Sequence, residues 1–294
     1  MADSIFKRLV RFEDHAGQAH YGEVPESHNG ADDLVGVSVP VYTGGLPWEQ
    51  SFCLGTDTVK IAKLLSPIEA PPFIYGIGLN YRKHAEEAKV EIPPYPLIFF
   101  KGGGAEAVSG PYEDVPVHKE ADFMDYEASA DWGELAIVFG KQAANLTESD
   151  NVFDYLLGYT VGNDVSSRYW QDPTRSGGQH GYAKAFDKFT VIGPVLASTS
   201  YVPDPSKLTL KTTVNGEQRQ LTQTDDLIFD IPSIVRHLTR GRTIRPGTVV
   251  MTGTPSGVAA FHKPPAWLKD GDVVEVEITE IGRIRNRMAF PPTP

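Results

Sequence analysis

The chain has 294 residues, 40% of them hydrophobic, which suffices for one large domain or for a main domain with a smaller one attached. Its 27 basic and 38 acidic residues give a net charge of −11, which argues against binding to nucleic acid or to an anionic membrane. The single cysteine, Cys53, excludes an intramolecular disulfide and a cysteine zinc site.

The lack of a targeting signal and of a long apolar run predicts a cytoplasmic protein. The N-terminal residues lack the apolar segment of a signal peptide, and the acidic residues Asp3, Glu13 and Asp14 argue against a mitochondrial presequence. No apolar run approaches the roughly 20 residues that cross a bilayer. We therefore expect no association with a membrane.

Residues 1–70 are predicted to form a small β-rich domain. Strand-like runs at 5–12 and 18–24 surround a turn, and the alternation of apolar residues from 34 to 42 predicts a third strand. Residues 56–65 have helical periodicity, and prolines then interrupt the chain. We place a boundary here and assign residues 71–294 to a second, catalytic domain.

The second domain is predicted to be mixed α/β and rich in strands, with a rolled, partly barrel-like sheet. It opens with the segment 73–78, and its predicted strands are residues 97–101, 135–140, 159–163, 189–197, 208–214, 248–252 and 273–281. The dipeptide Asn215-Gly216 predicts a hairpin turn.

Few helices are predicted in this domain. Residues 81–89 form a short helix that Asn80 can cap, and residues 151–157 form another. A third spans residues 231–239, with Asp230 as its cap.

Three acidic residues outline a site for a hard cation. Glu127 and Glu134 flank the start of an apolar strand, and Asp164 follows in the next segment. Carboxylate oxygens suit Mg²⁺, Mn²⁺ or Ca²⁺, and a small set of such ligands leaves positions open for water or substrate. This feature points to chemistry rather than to architecture.

Two further groups of side chains could act beside such a cation. His84 and Glu87 are three residues apart on the predicted helix, so the carboxylate can orient the imidazole for taking a proton from water. The same spacing occurs on many helices for solubility alone. Arg168 and Gln171, which follow Asp164, are also three residues apart.

Positive charge and small residues complete the candidate site. Arg168 offers a planar fork for a substrate carboxylate, and Lys184 offers a compact charge for a developing enolate. The loop at 252–257 follows a strand, and its backbone N–H groups and threonines could form a nest for an anion. We interpret Lys101 and the three glycines after it as a loop that borders the site.

These motifs together resemble the fumarylacetoacetate hydrolase family. The resemblance rests on residues 78–87, 125–127, 158–171, 184–187, 192–194 and 252–257, whose order and spacing match over about residues 73–290. The short β-rich N-terminal unit is similar to the one that precedes the catalytic domain in many members.

The resemblance implies a β-rich catalytic fold, usually dimeric, with Mg²⁺ or Mn²⁺ held by three carboxylates. Family members act on 2-oxo acids and 1,3-dicarbonyl acids. By this resemblance the metal ligands are Glu127, Glu134 and Asp164; the catalytic residues are His84, Glu87 and Lys184; and the substrate-binding residues are Arg168, Gln171, Thr254 and Tyr81.

One departure from the family pattern concerns the first two metal ligands. Family members have two glutamates separated by one residue, whereas an insertion, Ala128 to Gly133, separates Glu127 from Glu134. We expect this insertion to form an outward loop, with Trp132 packed over the rim of the pocket. Asp131 is the alternative ligand if Glu127 cannot reach the cation.

The leading hypothesis is an enzyme that acts through a metal-bound enolate and hydrolyses a C–C bond of an acylpyruvate or fumarylacetoacetate type of substrate. The nearest alternative is an oxaloacetate-type decarboxylase or a keto-enol tautomerase, because both pass through the same enolate. A non-catalytic member that has lost its metal is the alternative of another class. We expect a homodimer with a small-molecule substrate.

Overall fold

The computed structural model describes residues 5–26, 28, 34–121, 128–129 and 132–290. Strands account for 39% of the structure and helices for 16%, which confirms the prediction of a mixed, β-rich fold. Within the described residues, no helix is long and apolar enough to span a membrane.

The strands begin with an N-terminal group: β1 (Arg8–Glu13), β2 (Ala19–Glu23), β3 (Ser38–Thr43), β4 (Cys53–Lys60) and β5 (Lys63–Leu64). Those of the central region are β6 (Ile74–Gly78), β7 (Leu97–Gly102), β8 (Val108–Ser109), β9 (Val115–Pro116), β10 (Ala128–Ser129), β11 (Gly133–Phe139), β12 (Ala143–Ala144), β13 (Leu156–Asp164), β14 (Ser166–Ser167) and β15 (Thr190–Ala197). The last are β16 (Thr209–Val214), β17 (Glu217–Gln223), β18 (Thr243–Ile244), β19 (Val249–Met251), β20 (Val273–Ile278) and β21 (Gly282–Ala289).

The helices are short. They are α1 (Arg82–Ala88), α2 (Arg168–Gln171), α3 (Pro173–Ser176), α4 (Gly181–Lys184) and α5 (Ile231–Thr239). Single 3₁₀ turns lie at Ala105–Ala107, Val152–Tyr155, Pro205–Lys207, Thr224–Asp226 and Ala259–Phe261.

Most of the strands form one twelve-stranded sheet. Its main path runs β4-β3-β2-β1-β15-β13-β11-β19-β6-β7. Strand β11 is antiparallel to both β13 and β19, and β19 is parallel to β6. The start of β11 and the ends of β13, β19 and β6 therefore meet at one edge of the sheet, where the polar motifs of the sequence also lie.

A second sheet, in the order β17-β16-β20-β21-β9, packs against the first. The core between them contains buried apolar side chains from both, such as Leu135 of β11, Leu210 of β16 and Val276 of β20. The turn at Asn215-Gly216 joins β16 to β17, as predicted.

The N-terminal strands extend the large sheet. The hairpin of β1 and β2 is confirmed, and β1 also pairs with β15, inside the second predicted domain. The boundary between residues 70 and 71 stays a prediction. The helix predicted at residues 56–65 is wrong, because this segment belongs largely to β4, which pairs with β3. Its threonines and valine suit a strand, and pairing overrides the weak helical pattern.

Two of the three helices predicted in the second domain form, and one does not. Helix α5 has the predicted cap, since the Asp230 side chain accepts a hydrogen bond from the backbone N–H of Ser233. Helix α1 forms, but without a side-chain cap at its N-terminus. The helix predicted at 151–157 is wrong: the chain forms only the 3₁₀ turn Val152–Tyr155 before the buried strand β13 begins.

Candidate active site

The two described metal-ligand candidates lie on neighbouring strands. Glu134 is at the start of β11 opposite Gly162 of β13, and Asp164 lies two residues beyond Gly162. Because strand side chains alternate between faces, Glu134 and Asp164 lie on the same face. Both are buried. The sheet register therefore brings together two carboxylates that are far apart in sequence.

Two buried lysines neutralise Asp164. The Lys184 ammonium lies 2.5 Å from Asp164 Oδ2 and 2.7 Å from Ser166 Oγ. Lys101 donates to Asp164 Oδ1 and, at 3.2 Å, to the carbonyl oxygen of Val165. All three ionic side chains have almost no exposed surface.

Burial and these charges shift the pKa values of the cluster. Burial raises the pKa of Glu134 well above its usual range, and the charge of Asp164 raises it further. Burial also acts to raise the pKa of Asp164, but Lys101 and Lys184 outweigh it and hold that pKa below the usual range. Burial lowers the pKa of Lys184 to about 8 although Asp164 opposes the shift.

The sequence analysis gave Lys101 no role beyond bordering the site. We placed it at the end of the predicted strand 97–101 and at the start of a loop, and it lies within β7, at the end of the sheet path. The sheet is rolled, as predicted: β7 packs against α4, and Lys101 reaches Asp164, which lies on β13. The sequence signal that could have revealed this role was a lysine within an otherwise apolar strand.

Trp132 lies against the same cluster. Its ring is buried, with the Lys184 ammonium 3.6 Å from its centroid and the Arg168 guanidinium carbon 5.6 Å away. An aromatic face stabilises a nearby cation. Trp132 therefore lies beside the site residues, and its place over the rim of a substrate pocket stays a prediction.

The insertion lies along the site. Ala128–Ser129 pairs with Ser166–Ser167, and Gly133 already belongs to β11. The first two residues of the insertion therefore pair with β14, and the outward loop stays a prediction. Asp131 lies outside the described residues.

The His84 and Glu87 pair forms on α1 as predicted. His84 Nδ1 is 3.1 Å from Glu87 Oε2, and the His84 ring packs edge-on against Phe261. The backbone N–H of Gly257 donates to Glu87 Oε1 at 3.0 Å. Glu87 is therefore fixed by both its neighbours and can orient the imidazole.

The loop of residues 252–257 binds carboxylates of the protein itself. Gly253 N–H donates to Glu134 Oε2 at 2.7 Å, and Gly257 N–H donates to Glu87. Gly257 has a φ of 101°, and a Cβ atom there would lie 2.0 Å from the carbonyl oxygen of Arg219. The two N–H groups donate to different carboxylates of the protein, and the predicted nest for a substrate anion stays a prediction.

Two predicted substrate-binding residues carry unpartnered polar atoms. Arg168 Nη1 donates to Gln171 Oε1 at 2.7 Å, which leaves the buried Gln171 Nε2 with no hydrogen-bond partner among the described residues. The buried hydroxyl of Tyr81 also lacks one there. Buried polar groups are normally hydrogen-bonded, so these atoms are candidates for ligand contact.

A divalent cation suits Glu134, whereas both oxygens of Asp164 already accept hydrogen bonds from Lys101 and Lys184. Within the described residues Glu134 makes a single hydrogen bond, from Gly253, and its raised pKa marks a buried carboxylate that lacks sufficient positive charge. Glu127, the third predicted ligand, lies outside the described residues. Within the described ranges, no three His, Cys, Asp or Glu side chains lie together as a metal site, at this cluster or elsewhere. Glu134 and Asp164 are the residues that would hold Mg²⁺ or Mn²⁺.

Comparison with known proteins agrees with this geometry. The family model described as fumarylacetoacetate (FAA) hydrolase C-terminal matches residues 73–289. A fumarylacetoacetate hydrolase domain-containing protein 2 homolog of Dictyostelium discoideum is 42% identical over 240 residues, covering 78% of this chain and 75% of that protein. A protein of Xenopus laevis named as a mitochondrial oxaloacetate tautomerase is 40% identical, covering 76% of this chain and 67% of that protein.

Solved structures share the fold over nearly the whole chain. The crystal structure of 2-hydroxyhepta-2,4-diene-1,7-dioate isomerase from Mycobacterium marinum has a TM-score of 0.76 and 28% identity, covering 98% of this chain and all (100%) of that one. A fumarylacetoacetate hydrolase from Exiguobacterium antarcticum has a TM-score of 0.75 and 30% identity, covering 97% of this chain and 100% of that one.

Proposed function

This chain belongs to the fumarylacetoacetate hydrolase family, and we propose that it interconverts the keto and enol forms of a 2-oxo dicarboxylic acid such as oxaloacetate. The observation that carries the proposal is the buried ammonium of Lys184, held by Asp164 and Ser166 against the face of Trp132. The names of the Xenopus and Mycobacterium relatives, a tautomerase and an isomerase, support this choice over C–C hydrolysis.

Lys184 supplies the acid in this proposal. An ammonium group has three N–H donors. Asp164 Oδ2 and Ser166 Oγ take two of them, and the third, which has only the face of Trp132 beside it, is proposed to donate to the 2-oxo oxygen of a substrate. As negative charge develops on that oxygen, Lys184 donates a proton to it and stabilises the enol.

His84 supplies the base. If Nδ1–H donates to Glu87, then Nε2 carries the free lone pair that accepts a proton. In the forward direction His84 takes one proton from C3 of the keto acid, the C2–C3 double bond forms, and the 2-oxo oxygen takes a proton from Lys184. The reverse reaction returns both protons, so no bond between carbon atoms is broken.

The remaining residues bind and orient the substrate. Arg168 and the free Nε2 of Gln171 suit a substrate carboxylate, because both present N–H donors. Thr254 and Tyr81 are proposed to contact the rest of the substrate. Glu127, Glu134 and Asp164 would hold Mg²⁺ or Mn²⁺, which supplies a Lewis acid for the oxygens of a 2-oxo acid.

C–C hydrolysis is the second candidate, and the hydrogen bond between His84 and Glu87 favours it. A base oriented in this way can also take a proton from water. The two reactions differ in their products. Tautomerisation leaves the carbon skeleton intact, whereas hydrolysis of an acylpyruvate yields pyruvate and a second acid.

The test is to mix purified protein and Mg²⁺ with freshly dissolved oxaloacetate, and separately with an acylpyruvate, and to follow the products by NMR. Faster approach to the keto-enol equilibrium without new products supports the proposal. Pyruvate and CO₂ from oxaloacetate indicate a decarboxylase, and cleavage of the acylpyruvate indicates a hydrolase. The absence of all three activities indicates a non-catalytic family member.

We also propose that the protein is a homodimer. The end strand β7 exposes Leu97 and Phe100, and Phe100 packs with Phe73, which is also exposed, and with Tyr75. A contiguous exposed apolar patch is typical of an interface. Light scattering on the wild-type protein and on a Phe100→Ser variant tests this proposal. A cytoplasmic location stays a prediction.

A further inference from the structure

Gln220 reaches the candidate site from the second sheet. It lies on β17 and is 1% exposed. Its Oε1 accepts from the backbone N–H of Gly133 at 3.0 Å and from the Thr212 hydroxyl at 2.7 Å. Its Nε2 donates to Thr254 Oγ1 and to the carbonyl oxygen of Pro255, both at 2.9 Å. One side chain thus joins the strand of Glu134 to the loop at 252–257.

The orientation of this amide is unambiguous. A backbone N–H can only donate, so the atom that faces Gly133 is the oxygen. A carbonyl oxygen can only accept, so the atom that faces Pro255 is the nitrogen. The two backbone partners exclude a flipped amide.

The amide in turn orients the hydroxyl of Thr254. Because Gln220 Nε2 donates to Thr254 Oγ1, that oxygen acts as an acceptor in this contact. The hydroxyl hydrogen is then free to point to the carbonyl oxygen of Gly133, 3.2 Å away. Toward a ligand, Thr254 therefore presents a lone pair, which suits the hydroxyl of an enol.

The anchor of Gln220 is rigid. A Cβ atom on Gly133 would lie 2.2 Å from Thr212 Oγ1 and 2.8 Å from Val276 Cγ1, so the two sheets are in close contact at this point. Thr212 holds Gln220 Oε1 from the second sheet. Movement of the amide relative to β11 would break several buried hydrogen bonds at once.

We propose that Gln220 is a positioning residue for substrate recognition, which acts through Thr254 by fixing the direction of its hydroxyl group. The inference rests on the proposed function, because it takes Thr254 as a substrate contact. Its effect is on binding of the 2-oxo acid rather than on proton transfer. We therefore expect loss of Gln220 to raise KM while changing kcat much less.

The test is a double-mutant cycle of Gln220→Met and Thr254→Val in the full-length protein with Mg²⁺. Gln220→Met keeps the volume of the side chain and removes its polar atoms. Each single variant should raise the KM for oxaloacetate roughly tenfold, since each leaves a buried polar group unpaired. The double variant should be no worse than the weaker-binding single variant, because both changes remove the same effect.

Two further variants separate positioning from stability. Thr212→Val removes one hydrogen bond to Gln220 and keeps those from Gln220 to Thr254 and Pro255, so it should lower Tm and raise KM much less than Gln220→Met does. Gln218→Met, at an exposed position on the same strand, is the matched control and should change neither. The inference would be overturned if the KM increases of the two single variants multiply in the double variant. It would also be overturned if Gln220→Met lowers Tm without raising KM.

Calorimetry with malate, a dicarboxylate that carries a hydroxyl group in place of the enol hydroxyl, keeps the two proposals distinguishable. If the wild-type protein binds malate but does not turn over oxaloacetate, the proposed function fails. The same cycle, measured on the Kd of malate, then decides on Gln220 by the same criteria. A wild-type protein that neither binds malate nor turns over oxaloacetate overturns both proposals.

Discussion

Glu87 and Glu134 accept hydrogen bonds from the same loop: Gly257 N–H donates to Glu87 and Gly253 N–H donates to Glu134. One of these glutamates orients His84, and the other is a metal-ligand candidate. The loop therefore sets the position of the proposed base relative to the carboxylates, although α1 and β11 are separate elements.

The pH dependence of the reaction should report on Lys184. In the proposed mechanism Lys184 acts as the ammonium, and its pKa is lowered to about 8. We expect kcat/KM in the keto-to-enol direction to be independent of this group below that pH and to fall as the pH rises through it. Lys184→Arg, whose guanidinium does not lose its proton in this range, should lower kcat and abolish this limb.

The matched control is Lys211→Arg on β16, which should leave both rate and profile unchanged. An unchanged alkaline limb in Lys184→Arg would assign the titration to another group.

Divalent-cation binding should be linked to the proton of Glu134. The pKa of Glu134 is raised by burial above its value in the unfolded chain, so its contribution to stability is present at low pH and is lost as the pH rises through the folded-state pKa. A divalent cation favours the ionised carboxylate and should reverse this loss. We expect the rise in Tm on adding Mg²⁺ to be larger at neutral pH than at mildly acidic pH.

Glu134→Gln keeps an oxygen for the Gly253 N–H and cannot ionise. In this variant the pH-dependent part of the Mg²⁺ effect should vanish. A wild-type Mg²⁺ effect that is the same at both pH values contradicts a role for Glu134 as a ligand that must lose a proton.

His84 and Arg168 should affect different kinetic constants. His84→Ala removes the proposed base and should lower kcat by about 10²- to 10⁴-fold with little change in KM. Arg168→Ala removes a carboxylate contact and should act mainly on KM. His15→Ala, at an exposed position, is the control for the loss of an imidazole. A His84→Ala variant with wild-type kcat assigns proton removal to another residue.

Asn80 should contribute to stability rather than cap a helix. Its buried side chain donates to the carbonyl oxygens of Thr252 and Phe229 and accepts from Phe229 N–H. Asn80→Ala leaves these groups unpaired and should lower the free energy of unfolding by about 2 to 4 kcal/mol. Denaturant unfolding measures this loss. Asn151→Ala, at an exposed position, should cost about 0.5 kcal/mol or less.

Local sequence patterns predicted strands and helices well where neighbouring residues decide the conformation, and poorly where pairing with a distant strand decides it. The continuous apolar run from Leu135 to Phe139 and the capping residue Asp230 were sufficient to predict β11 and α5, because burial and capping depend on neighbouring residues. Residues 56–65 were assigned to the wrong class, because pairing with β3 decides their conformation. Such pairing is not encoded within the segment.

The site shows the same division. Motif spacing was sufficient to predict that His84 pairs with Glu87, since both lie on one helix. It gave no sign of Gln220 and did not predict the contact of Lys101 with Asp164, because each side chain reaches the site from a strand that is distant in sequence. Only the rolling of β7 toward β13 and the packing of the second sheet bring them there.

The most direct test of the account is the rate at which enol oxaloacetate converts to the keto form with Mg²⁺ present, measured by the loss of enol absorbance with NMR analysis of the products. We predict that the wild-type protein accelerates this conversion and that no pyruvate or CO₂ forms beyond the uncatalysed background. The Lys184→Arg variant should show little acceleration. Wild-type protein that does not change the rate, or that releases CO₂ or pyruvate in step with the loss of enol, would contradict the proposal of a tautomerase.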